Sequence, residues 1–135
     1  MAYIACMKQQ DKNEMIRHWR EGSQKALTAS GDLAEKGHYD FALFFGHLAL
    51  EKLLKSKVVE IVDDFAPRSH DLLYLAGYAK INFDKTQEAQ LASINVFNIE
   101  GRYAEEKLAF HKQVTKKYAQ DWLETINALY VWLSK

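Results

Sequence analysis

One proline, one cysteine and no paired glycines occur in this chain. With Pro67 as the only proline, long segments are free of the strongest helix breaker. Cys6 stands alone, so no intrachain disulfide can form. It reads as a small residue near the chain start, because a reactive thiol needs a histidine or cation that the sequence does not identify beside it. The glycines Gly22, Gly31, Gly37, Gly46, Gly77 and Gly101 are scattered singly. No strand pattern precedes them, which excludes a P-loop or Rossmann phosphate loop, and no cofactor is expected. Net charge is zero. A dedicated nucleic-acid module carries a basic excess, so strong non-specific binding is excluded while a local basic patch is not. No run approaches the roughly 20 apolar residues needed to span a bilayer. Met1 to Met7 lacks the flank and length of a signal peptide, so a cytoplasmic location without membrane association is expected.

What is present is ordinary globular material. The chain has 135 residues, near the commonest size for one domain, so residues 1–135 are expected to form a single unit. A chain this short buries only about two-thirds of its unfolded surface, and an oligomer would relieve that limit.

Five helical patterns can be read, with no competing strand pattern, no repeat and no low-complexity stretch. The first spans about Asp11 to Lys36: Asp11 and Glu14 suggest a capping box, and Gly37 suits the position past the end. Met15, Trp19, Gly22, Ala26, Ala29 and Leu33 share one face, whose small middle invites close approach by another helix. The second, about His38 to Val62, begins with Phe41-Ala42-Leu43-Phe44-Phe45 and should be central. Its His47, Glu51 and Lys55 form an i, i+4 row expected to face solvent or a partner. After Asp63, Asp64 and Pro67, Ser69 would cap a short third helix through Tyr78, carrying Leu72, Leu73 and Leu75. The fourth starts near Asp84 with Gln87 as a cap-like pair. It buries Leu91, Ala92, Ile94, Val96, Phe97 and Ile99, and leaves Glu88, Asn95, Asn98 and Arg102 on a polar stripe. Arg102 to Lys112 either extends that helix beyond Gly101 or forms a loop. The last helix, about Thr115 to Leu133, aligns Tyr118, Trp122, Ile126, Leu129 and Leu133. The expected fold is all-α, an antiparallel bundle of four to five helices.

Local patterns go further. Tyr39-Asp40-Phe41-Ala42-Leu43-Phe44 leads into Ala49-Leu50-Glu51-Lys52-Leu53-Leu54-Lys55. Pro67, the triplet His70-Asp71-Leu72, and Arg102-Tyr103 after an apolar helix follow in order. Over nearly the whole chain this resembles the HEPN domain family. The resemblance implies a helical bundle that commonly forms dimers, and pairing with a minimal nucleotidyltransferase in what look like toxin–antitoxin modules. It also implies, for a large subset, metal-independent ribonuclease activity marked by an arginine, four to six residues, then a histidine.

This sequence departs from that mark. Eight residues, Tyr103 to Phe110, separate Arg102 from His111. Arg68 and His70 are too close together, and Arg17 and Arg20 have no histidine at the right distance. Arg102 and His111 stay the catalytic candidates: the histidine would activate a ribose 2′-hydroxyl and the guanidinium would stabilise the phosphorane-like charge. Asn95, Asn98 and Arg102 are the ligand-binding candidates, because three hydrogen-bonding side chains on one stripe would line a groove and clamp a phosphate. The plain alternative is a solvated stripe. His70 and Asp71 read as first-turn capping groups. His47 and Glu51 are too few for a metal site, and none is expected. Trp19, Trp122 and Trp132 read as core or dimer-interface residues.

The expected function is therefore a HEPN-like dimer associated with a nucleotidyltransferase partner, with nucleotide or RNA as a further ligand. The alternatives are a divergent ribonuclease using Arg102 and His111, and a structural oligomerisation bundle without ligand.

Overall fold

A computed structural model of the chain describes residues 8–100 and 102–135. Cys6, the Met1–Met7 segment and Gly101 lie outside the described residues. Among the described residues six helices form: α1 (Gln9–Glu35), α2 (Tyr39–Val62), α3 (Leu72–Tyr78), α4 (Lys85–Asn95), α5 (Ala104–Gln113) and α6 (Lys116–Leu133). There is no strand among the described residues. None of the described helices is long and apolar enough to cross a membrane.

α1 and α2 make an antiparallel hairpin. Gly37, at φ 84°, supplies the left-handed turn, and His38 N–H reaches back to the Leu33 carbonyl at 2.8 Å. Lys12 pairs with Asp63 at 3.3 Å, and Arg20 with Glu60, so the start of α1 lies along the end of α2. The small middle of α1 does permit close approach: a Cβ on Gly22 would meet the Lys52 side chain at 3.2 Å. The expected Asp11–Glu14 capping box is absent. The helix begins earlier, at Gln9, and Asp11 instead sits in its first turn, where a carboxylate complements the dipole.

α2 is the centre of the core, with Ala42, Leu43, Leu50, Leu54, Val58 and Val59 fully buried. α6 packs on it closely at Gly46, where a Cβ would stand 2.8 Å from the Ile126 δ-methyl. From there the two helices advance in the same sense, since Leu53 and Lys57 line a common cleft with Tyr130 and Ser134. Thr115 caps α6 by accepting from Tyr118 N–H.

α4 does open with the Asp84–Gln87 pair, here a full reciprocal capping box. It ends at Asn95, sooner than the apolar pattern through Ile99 suggested. Val96, Phe97 and Asn98 donate to carbonyls three residues back, tightening the last turn. The turn delivers Phe97 into the core, against Phe110, Tyr118 and Trp122. Arg102 to Lys112 is thus neither an extension nor a loop. Most of it is α5, with Glu105 and Glu106 in the first turn and His111 and Lys112 in the last, both matched to the dipole. α5 buries one side chain, Phe110.

Candidate functional site

Along α2, His47, Glu51 and Lys55 lie one turn apart on one face, as i, i+4 spacing requires. The expectation that this row faces solvent or a partner is wrong. His47 is 1% exposed, Glu51 4% and Lys55 7%. Two neighbours cover it. Trp19 of α1 lies under the Lys55 and Lys52 ammonium groups, 5.2 and 5.7 Å from the ring centre. The connector after α2 folds back and lays His70 over Glu51.

The buried carboxylate is satisfied at both oxygens. Lys55 Nζ donates to Glu51 Oε2 at 3.1 Å, and His70 Nδ1–H donates to Oε1 at 2.9 Å. His47 donates from Nε2 to the His70 backbone carbonyl at 3.0 Å. That bond leaves the other ring nitrogen toward Glu51 Oε1, 3.9 Å away. Burial pushes the His47 pKa below its ordinary value, with the Glu51 charge opposing the shift. The Lys55 ammonium already occupies the carboxylate's second oxygen. Among the described residues no group of three metal-ligating side chains is placed to hold an ion.

The network continues through Asp71. Asp71, not Ser69, is the N-cap of α3, accepting from Leu73 N–H at 3.0 Å and Tyr74 N–H at 3.3 Å. Ser69 Oγ accepts instead from Asp71 N–H. Asn95, the last residue of α4, donates to Asp71 Oδ1 at 2.9 Å and accepts from Leu72 N–H at 2.9 Å. One continuous set of bonds therefore ties α2, the connector, α3 and α4 together.

The expected stripe of Asn95, Asn98 and Arg102 does not form on one helix, because α4 stops at Asn95. Asn95 is occupied by α3. Asn98 and Arg102 lie in the segment before α5 and do meet: Arg102 Nε donates to the Asn98 carbonyl at 3.1 Å. His111 sits near the end of α5, its side chain 67% exposed, and donates from Nδ1 to Asp40 Oδ2 at 3.0 Å. Arg102 and His111 thus have separate anchors. The seven-residue advance from Ala104 to His111 alone spans about 10 Å of helix axis.

Sequence reasoning missed Glu51 as a buried carboxylate shared by Lys55 and His70. A signal was present. A helix apolar around nearly its whole circumference is buried throughout, so its few polar residues must find partners inside.

Neither curated proteins nor solved structures give a match to the chain. Protein-family models do: the HEPN domain matches residues 16–135. That match runs from the second turn of α1 through α6, and takes in the Glu51–His70 network, the Arg102 segment and His111. This chain belongs to the HEPN domain family.

Proposed function

We propose that this protein is a HEPN module that works by assembly. It forms a dimer and engages a nucleotidyltransferase in a toxin–antitoxin-type system, with Arg102 as its contact to nucleotide or RNA. The observation that carries this reading is the separation of Arg102 and His111. The first is bound to the Asn98 carbonyl and the second to Asp40, with most of α5 between them. An arginine that supports phosphoryl chemistry has to reach the same reacting atoms as the base. The exposed apolar side chains support a partner surface. α3 turns Leu73, Tyr74 and Tyr78 outward, while Phe65 on the connector is 67% exposed.

Co-expression with a minimal nucleotidyltransferase from the same genome, followed by size-exclusion chromatography with light scattering, tests the reading. A stable complex containing two copies of this chain is expected. A lone monomer that never co-elutes with the enzyme contradicts it.

A second reading, the ribonuclease, has one observation in its favour. Asp40 fixes His111 through Nδ1 and leaves Nε2 toward solvent, which is how an oriented general base is held. In that case Nε2 takes the proton of a ribose 2′-hydroxyl as its oxygen attacks phosphorus, the P–O5′ bond breaks, and the leaving 5′-oxygen takes a proton from solvent. Arg102 stabilises the charge between those two events.

A further inference from the structure

At the other end of α2 from Asp40, a cleft of about 270 Å³ opens between α1, α2 and α6. Lys57 lies 17 residues beyond Asp40 on the same helix, roughly 25 Å along the axis at the usual rise. The cleft is therefore separate from Asp40 and its partner His111. It is lined by Arg20, Ser23 and Gln24 of α1, Leu53 and Lys57 of α2, and Tyr130 and Ser134 of α6.

Two cations border this small space, and among the described residues no carboxylate lines it, although Glu60 pairs with Arg20. Arg20 pairs with Glu60 through a single Nη, leaving its other guanidinium donors available. Lys57 has no ion-pair or hydrogen-bond partner among the described residues, although it is half-buried. A half-buried ammonium without a counter-charge, facing a polar recess, is a ready anion ligand.

The hydroxyls set the finer chemistry. Ser23 is fully buried and donates to the Arg20 carbonyl at 2.7 Å, and it also meets Tyr130 Oη at 2.7 Å. The Ser23 proton goes to the Arg20 carbonyl, so Tyr130 is the donor of that pair. The Arg20 carbonyl also has the helical bond from four residues on, so Ser23 can turn its proton to Tyr130 at small cost. Tyr130 then has its own proton free for a ligand in the cleft. At the end of α6, Ser134 N–H and Oγ–H bond back to the Tyr130 carbonyl, and Ser134 N–H also reaches that of Val131. Those bonds occupy carbonyls that would otherwise repel an anion.

We propose that this α1–α2–α6 cleft binds the phosphoryl group of a small anionic ligand. Lys57 and Arg20 hold its oxygens and Tyr130 donates its hydroxyl. The volume sits just below the range of about 300–1,000 Å³ usual for small-molecule pockets, so the cleft takes a phosphate or diphosphate group while the rest of a larger ligand stays outside. The site adds to the partner reading above and does not depend on it.

The test is isothermal titration calorimetry on the full chain at constant ionic strength, with inorganic phosphate, pyrophosphate, ADP and adenosine as probes. Saturable binding of pyrophosphate and ADP, with none of adenosine, is expected. Lys57→Ala should weaken it at least tenfold, Tyr130→Phe severalfold, and Lys57→Arg much less than Lys57→Ala. Lys25→Ala should leave it unchanged, which separates this site from general surface charge. ADP tighter than pyrophosphate assigns the phosphoryl group to a nucleotide; equal affinity assigns it to free diphosphate. Backbone amide shifts in the wild-type protein, expected at residues 20–24, 53–57 and 130–134 on adding pyrophosphate, give a readout independent of any variant. No binding by the wild type, equal loss in Lys25→Ala, or amide shifts elsewhere would overturn the proposal.

Discussion

Glu51 is a carboxylate taken out of water and held by a lysine and a histidine. Removing one partner of such a pair leaves the other charge buried, and costs about 3–5 kcal/mol. For Glu51→Gln we expect a loss near the low end, about 3 kcal/mol by urea unfolding, because the amide oxygen still accepts one bond. Adding Lys55→Met should recover part of that loss, whereas a purely steric role for Glu51 predicts no recovery. His47 gives the pH dependence. Its pKa is lowered in the fold, so the unfolded chain binds more protons below the ordinary 6.5. The stability from keeping His47 neutral is complete above that pH, and is lost progressively as pH falls through the lowered folded value. Melting curves between pH 5 and 8 should show a shallower acid decline in His47→Gln than in the wild type; identical slopes would contradict the assignment. Spacing alone placed His47, Glu51 and Lys55 on one face, but it could not say what covers that face. The cover comes from His70, nineteen residues past Glu51, across a connector whose path has no local signature.

Local chemistry was most readable where an element's boundary is made by its own residues. The Asp84–Gln87 box and the Gly37 turn lie where the sequence places them, and the last helix starts beside Thr115 as its pattern implies. Boundaries set by tertiary contacts were not readable. α4 ends where Phe97 turns into the core and where Asn95 is needed to hold α3, and neither demand shows in the periodicity of Leu91 to Ile99. α3 has seven residues, too few to persist alone, so its start depends on Asp71 and Asn95 together. Asn95→Ala should cost about 1–2 kcal/mol, comparable to the loss of an N-cap. Amide exchange at Leu72 and Leu73 should quicken more than at core positions of α2. Uniform quickening across the chain would mean that Asn95 supports the whole fold and not this junction.

For the molecule as a whole, the all-helical fold follows from apolar spacing and the scarcity of proline, and HEPN membership rests on patterns spread along most of the chain. What the molecule assembles with is not written in either. It depends on surfaces such as the outward face of α3, where Leu73, Tyr74 and Tyr78 are exposed. The claim that this HEPN module acts by assembly and not by cutting RNA has one direct measurement. Purified protein is incubated with RNA in parallel with Arg102→Ala and His111→Ala. The account predicts no cleavage above buffer for the wild type. Cleavage by the wild type that both substitutions abolish would contradict it, and would make Arg102 and His111 a working pair despite their separate anchors.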